Sequence, residues 1–135
     1  MKKKEYPLYF GHPINFYNTP KESELISIIK REFPHFVVEN PNQPNHDESY
    51  HKWKEEKGNG MAYFYEVVLP RMYAGVFLSF EDGKFGSGVF GEAKVLDNQK
   101  KPIYEITTKG IITPMLIDIT RVLSIEETKE RVHRR

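Results

Sequence analysis

Gly75-Val76-Phe77-Leu78-Ser79-Phe80-Glu81-Asp82-Gly83-Lys84-Phe85-Gly86-Ser87-Gly88-Val89-Phe90-Gly91-Glu92-Ala93 is the stretch that decides the fold. Its opening residues, up to Phe80, form a continuous apolar run without alternation, as expected of a strand buried on both faces. Glu81-Asp82-Gly83-Lys84 turns the chain. Gly86-Ser87-Gly88 then opens a helix that carries Val89, Phe90, Ala93, Val95 and Leu96. A short apolar strand feeding straight into a helix predicts a parallel sheet covered by helices.

The same alternation continues outward on both sides. Leu8-Tyr9-Phe10 is a short apolar strand cut off by Gly11-His12-Pro13, and a polar loop follows to Thr19. Thr19-Pro20-Lys21-Glu22 joins an N-cap residue, proline at the first helical position and a glutamate three residues after the cap, which marks a helix start. Leu25, Ile26, Ile28, Ile29 and Phe33 keep helical spacing until Pro34. Phe36-Val37-Val38 predicts a second strand, ending in Glu39-Asn40-Pro41. Residues 42–59 are polar and predict a long loop with a short helix around Ser49 to Glu56. Met61 to Leu69 predicts a helix that Pro70 ends or kinks. Beyond the deciding stretch, Pro102-Ile103-Tyr104-Glu105-Ile106 predicts a strand, and Ile117-Asp118-Ile119 and Val122-Leu123 are weaker strand candidates. Ser124 with Glu127 makes a second capping box before a polar terminal helix. The sum is one α/β domain over residues 1–135, a doubly wound three-layer sandwich with a mostly parallel sheet of about five strands.

Composition narrows the function classes. Twenty Lys plus Arg stand against 19 Asp plus Glu for a net charge of +1, which argues against a nucleic-acid polymer as partner. The basic residues gather at the two ends and read as solvated tails. No apolar run approaches the roughly 18 residues of a membrane span. Met1-Lys2-Lys3-Lys4-Glu5-Tyr6-Pro7 has a basic edge but no apolar stretch long enough for a secretory signal, so the expected location is the cytoplasm. The absence of cysteine removes disulfides, thiolate metal sites and thiol nucleophiles.

In an open parallel sheet the ligand crevice lies at the carboxyl ends of the strands. That rule selects Tyr9 to His12, Asn40-Pro41, the turn from Ser79 to Glu92, and Glu105 onward. The glycines of Gly86-Ser87-Gly88 let backbone approach a ligand, and the Ser87 hydroxyl with the free N–H groups of a helix start suits a phosphate or a 5′-hydroxyl. Glu92, about one and a half turns into that helix, reads either as a helix-favouring residue or as a carboxylate reaching back to the crevice.

Together with Tyr9-Phe10-Gly11, the run Ser87-Gly88-Val89-Phe90-Gly91-Glu92 resembles the nucleoside 2-deoxyribosyltransferase family and its relatives, the 2′-deoxynucleoside 5′-phosphate N-hydrolases. Lys101-Pro102-Ile103-Tyr104 is similar to the strand entry that follows the glutamate-bearing helix in that family, and the resemblance spans residues 8–106. It implies a flavodoxin-like domain that cleaves or exchanges an N-glycosidic bond, with Glu92 as nucleophile, Tyr9 holding its carboxylate and Glu66 as second acid. Gly11, His12, Asn40, Gly86, Ser87 and Gly88 would then contact a nucleoside or nucleotide. The resemblance further implies no metal, no organic cofactor and a homodimer or higher oligomer, with the Met61 to Met72 segment as one contact. Two departures stand out. Glu66 occupies the place of a family Asp, one methylene shorter, and no Asn follows Asn98 to supply the family's carboxyl-terminal contact.

The residue types suit that chemistry, because breaking an N-glycosidic bond develops positive charge on the sugar, which a buried carboxylate stabilises or captures. Other residues carry two readings each. His12 is either a structural loop histidine or a phosphate or base contact. His46, Asp47 and His51 lie close together, and a solvated polar loop explains them without a metal. Tyr50, Trp53 and Tyr63-Phe64-Tyr65 either stack on a nucleobase or belong to core or interface, and Asn40-Pro41 either touches ligand or forms a turn. The rival functions are a non-catalytic nucleotide-binding or sensing domain and a partner-binding domain.

Overall fold

The computed structural model describes residues 6–58 and 60–133. The basic ends at residues 1–5 and 134–135 lie outside the described residues, as does Asn59. β1 (Tyr6–Gly11) and β3 (Ala74–Leu78) occupy the centre of the sheet, with Leu8, Tyr9, Phe10, Val76, Phe77 and Leu78 wholly buried. β2 (Phe36–Glu39) pairs in parallel with β1, and β4 (Ile103–Ile106) pairs in parallel with β3. β5 (Ile112–Pro114) adds an antiparallel edge to β4. The order β2-β1-β3-β4-β5 is that of a flavodoxin-like sheet, the fold read from the sequence, and it puts the topological switch point between β1 and β3.

Alternation along the central strands builds two cores. Leu8 and Phe10 of β1 with Val76 and Leu78 of β3 face α1 (Pro20–Glu32), which covers them with Leu25 and Ile29. Tyr9 and Phe77 face the opposite side, where α4 (Ser87–Asn98) lays down Val89, Phe90, Ala93 and Leu96 beside Tyr63 and Phe64. Thr19 caps α1 as its sequence predicts, accepting from the Glu22 N–H at 3.2 Å, with Pro20 first in the helix.

Three segments depart from the sequence reading. The polar stretch expected to be mainly loop is the helix α2 (Pro44–Lys57), begun by Pro44 and ended by Gly58 at φ +75°. It is polar nearly all round, so it shows no apolar period; Tyr50 and Trp53 pack on the α4-side core, and buried His46 bonds the Tyr63 hydroxyl there. The helix expected from Met61 to Leu69 starts as α3 (Met61–Tyr63), widens into a π turn over Phe64–Val68 and tightens to a 3₁₀ turn over Leu69–Arg71. Pro70 sits inside that last turn rather than ending the helix before it. The last strand forms at Ile112–Pro114, whereas Ile119–Arg121 is a 3₁₀ turn and Val122 makes only an isolated bridge to Phe85. Gly110, at φ +83°, closes the reversal through its N–H to the Thr107 carbonyl, sending the chain back along β4. Asp118 caps the 3₁₀ turn by accepting from Thr120 N–H, which withdraws the neighbouring residues from any sheet. The second capping box holds, with Ser124 and Glu127 exchanging bonds of 3.0 Å at the head of α5 (Ile125–His133). Among the described residues no helix is long and apolar enough to cross a membrane.

Candidate functional site

Tyr9 projects from β1 onto the α4 side of the sheet, where Glu92 arrives from the second turn of α4. The Tyr9 hydroxyl donates a hydrogen bond to Glu92 Oε2, and both side chains are buried. Burial pushes the Glu92 carboxyl up to about 8, against the smaller opposing pull of the Tyr9 bond. Burial, and then the Glu92 charge and hydrogen bond, hold the Tyr9 hydroxyl well above its usual range, so Tyr9 stays a donor. Gly11 makes room for this pair, since a Cβ there would lie 3.2 Å from Glu92 Oε1 and 2.6 Å from Phe77 Cδ1. A larger residue at position 11 would push the carboxyl away from the strand tip.

Above the pair opens a cleft of about 800 Å³ at the switch point of the sheet. Tyr9 and Glu92 lie among its lining residues, with His12, Pro13 and Tyr17 from the loop after β1. Asp47 and Tyr50 of α2 face it together with Phe64 and Tyr65 of the π turn, and Gly86 to Val89 bring the head of α4. Ile14, Pro41 and His46 also line it, and a further wall is α5, through Ile125, Thr128, Lys129 and Val132. Their spacing of three, four and seven residues is one helical face.

The sequence-selected residues divide into those that meet here and those that do not. Tyr9, Glu92, His12, Gly86, Ser87 and Gly88 line the cleft, and Gly11 supports Glu92 from beneath. The Ser87 N–H is not free as expected, because it donates to Thr128 Oγ1 of α5 at 2.9 Å; Gly88 and Val89 remain as first-turn N–H groups without an intrahelical acceptor. His12 engages both ring nitrogens within the protein, Nδ1 with the Phe10 carbonyl at 3.0 Å and Nε2 with Glu22 Oε2 at 2.7 Å, so it offers the cleft a wall rather than a free nitrogen. Asn40 stands outside the cleft, its Oδ1 accepting from the Asn42 N–H in an Asx turn. Glu66 is exposed on the outer side of the π turn and does not line the cleft. An intrahelical π turn changes which face each residue presents, and a helical count through residues 61–69 misses it.

His46 is likewise occupied, between the Tyr63 hydroxyl at 2.7 Å and Glu39 Oε1 at 2.5 Å, while Asp47 and His51 form an exposed pair at 3.4 Å. Among the described residues no group of three His, Asp or Glu side chains is placed to hold a metal ion. Sequence reasoning did not single out Tyr17 or the α5 face. Tyr17 is reached only by folding the loop after β1 back over the strand tip, and its hydroxyl is held above the usual range by burial and then by Glu92, Glu22 and Asp47. The α5 face was legible in its spacing, but nothing in the sequence says that it borders this cleft. Fold and site together define a flavodoxin-like α/β protein with a buried carboxyl at its switch point. No protein-family model, curated protein or solved structure matches the chain.

Proposed function

We propose that the protein cleaves or transfers the N-glycosidic bond of a nucleoside or nucleotide, with Glu92 as nucleophile. The observation that carries this reading is a carboxyl at the floor of the switch-point cleft, buried and bonded by the Tyr9 hydroxyl. In its ionised form an oxygen of Glu92 forms a bond to C1′ of the sugar. The C1′–N bond breaks, its electron pair leaves with the base, and a proton from solvent completes the departing base. Water then attacks C1′ of the glycosyl ester, losing a proton and freeing the carboxylate; a second base in place of water gives transfer. Desolvation supports the step, since the attraction between a carboxylate and a developing oxocarbenium ion grows as water is excluded. Tyr9 orients the attacking carboxylate.

The walls fit such a ligand. Tyr17, Tyr50, Phe64 and Tyr65 give faces for a nucleobase, and Lys129 with the N–H groups of Gly88 and Val89 suits a 5′-hydroxyl or phosphate. The reading carries with it a cytoplasmic homo-oligomer and needs neither metal nor organic cofactor. Its test is incubation with a panel of 2′-deoxynucleosides and their 5′-monophosphates, followed by chromatography for free base. Release by the unmodified protein and its loss in Glu92→Gln support the proposal; no release from any substrate overturns it.

A second reading is favoured by the high ionisation point of Glu92. A carboxyl that ionises only near pH 8 is mostly a neutral hydrogen-bond donor at pH 7. With Glu66 turned outward there is no second acid from that segment. A domain of this kind binds a nucleotide without turning it over, and calorimetric binding without base release is its signature.

A further inference from the structure

The second polar group beside Glu92 comes from the residue next to the one the sequence offered. Glu66 is exposed, and Tyr65 lines the cleft in its stead. The π turn decides this, because the Leu69 N–H reaches back to the Phe64 carbonyl and the wider winding rotates the face that residues 64–68 present. The Tyr65 hydroxyl comes to rest against α4 at Gly91, where that helix has no side chain. A Cβ on Gly91 would lie 2.5 Å from Tyr65 Oη and 3.4 Å from its Cζ. Gly91 adjoins Glu92, so the hydroxyl sits against the same turn of α4 that carries the carboxyl, and burial followed by the Glu92 charge keeps it protonated.

Three tyrosine hydroxyls, those of Tyr9, Tyr17 and Tyr65, feel the Glu92 charge, and Tyr9 and Tyr65 differ in what they do. Tyr9 is committed to the carboxyl. Tyr65 has no hydrogen-bond partner among the described residues, although it lines the cleft and is only partly exposed. A protonated donor without a protein acceptor, set against the helix that carries the carboxyl and facing an open cleft, is available to a ligand that displaces the water there.

We infer that Tyr65 is a substrate-binding residue that donates a hydrogen bond to a pentose oxygen adjoining C1′, and that Gly91 is the clearance that admits it. The inference rests on the glycosyl chemistry proposed for Glu92, which brings C1′ against the carboxyl and so brings the neighbouring sugar oxygens toward Tyr65. It also accounts for Gly91, which needs no left-handed backbone and lies within a helix, where glycine is otherwise costly.

The test compares Tyr65→Phe, Gly91→Ala and the double variant by two measurements. One is kcat/KM for base release from 2′-deoxynucleoside 5′-monophosphates. The other is the calorimetric Kd of the same compounds in a Glu92→Gln background, which does not depend on turnover. Tyr65→Phe is expected to lower kcat/KM and weaken Kd about tenfold, with its thermal midpoint close to that of the parent. Gly91→Ala is expected to do the same by displacing the hydroxyl, and the double variant to be no worse than either alone, since both act on one contact. If Gly91→Ala fails to fold, Tyr65→Phe alone decides. Parent-like values for Tyr65→Phe in both measurements overturn the inference, and leave the role of Glu92 standing wherever Glu92→Gln has stopped base release. Binding that Tyr65→Phe weakens, in a protein that releases no base, overturns the glycosyl reading and keeps Tyr65 as a ligand contact. Absence of both binding and release overturns the two together.

Discussion

Two glutamates, Glu22 and Glu92, flank the tip of β1, each 6% exposed, and the protein treats them in opposite ways. Glu22 is surrounded by donors: His12 Nε2 at 2.7 Å, Asn42 Nδ2 at 3.1 Å from both oxygens, and the Asn18 N–H at 3.2 Å. Those bonds stitch the loop after β1 to α1 and to the approach to α2. Glu92 has the Tyr9 hydroxyl and an open cleft. Equal burial thus produces a structural clamp where donors saturate the carboxylate, and a reactive group where they do not. Desolvation cost that Glu22 offsets with bonds remains in Glu92 as a carboxyl ionising near pH 8.

The contrast breaks most sharply under mutation. Glu92→Gln is expected to reduce base release more than about a thousandfold while folding normally, as measured by product chromatography and thermal unfolding. Glu22→Ala should do the reverse: a loss of about 3 kcal/mol in urea unfolding, with base release per folded molecule falling far less than in Glu92→Gln. Retained release in Glu92→Gln, or unchanged stability in Glu22→Ala, removes the distinction.

A smaller effect sharpens it. The raised Glu92 carboxyl favours the folded state fully below its ordinary value of 4.5, and that contribution is lost as pH rises through about 8. Stability should therefore fall by about 2 kcal/mol between roughly pH 6 and pH 8, and the part due to this group should vanish in Glu92→Gln. Base release should rise over the same interval as the nucleophile ionises. The smallest effect calibrates the others. Asp82, paired with Arg131 of α5 at 2.6 and 2.8 Å near the surface, is held low, at about 2, chiefly by that hydrogen bond. Asp82→Asn should cost no more than about 1 kcal/mol in denaturant unfolding.

Glu22 and Glu92 also show how far the site was legible. Thr19 to Glu22 has the spacing of a capping box, and Thr19 does cap α1, yet the Glu22 carboxylate accepts from the Asn18 N–H, one residue before the cap, and from His12. Local spacing identified the helix and could not identify the partner, because His12 reaches Glu22 only after the loop folds over the strand. Tyr9 and Glu92 were selected because both lie at the carboxyl edge of the sheet, where strand order brings residues far apart in sequence together. Glu66 was selected as the acidic residue standing in the place of a family Asp, and in the structure it is Tyr65 of the π turn, not Glu66, that lines the cleft.

Apolar runs, caps and turn residues determined the strand–helix alternation, the parallel sheet and the edge on which a ligand cleft lies, since these follow from short-range sterics and the period of burial. Which carboxylate is saturated, which tyrosine faces the cleft and which face of α5 closes it were decided only by the tertiary structure. Hydrogen-bond partners and desolvation depend on groups distant in the chain, and no local pattern encodes where those groups come to rest.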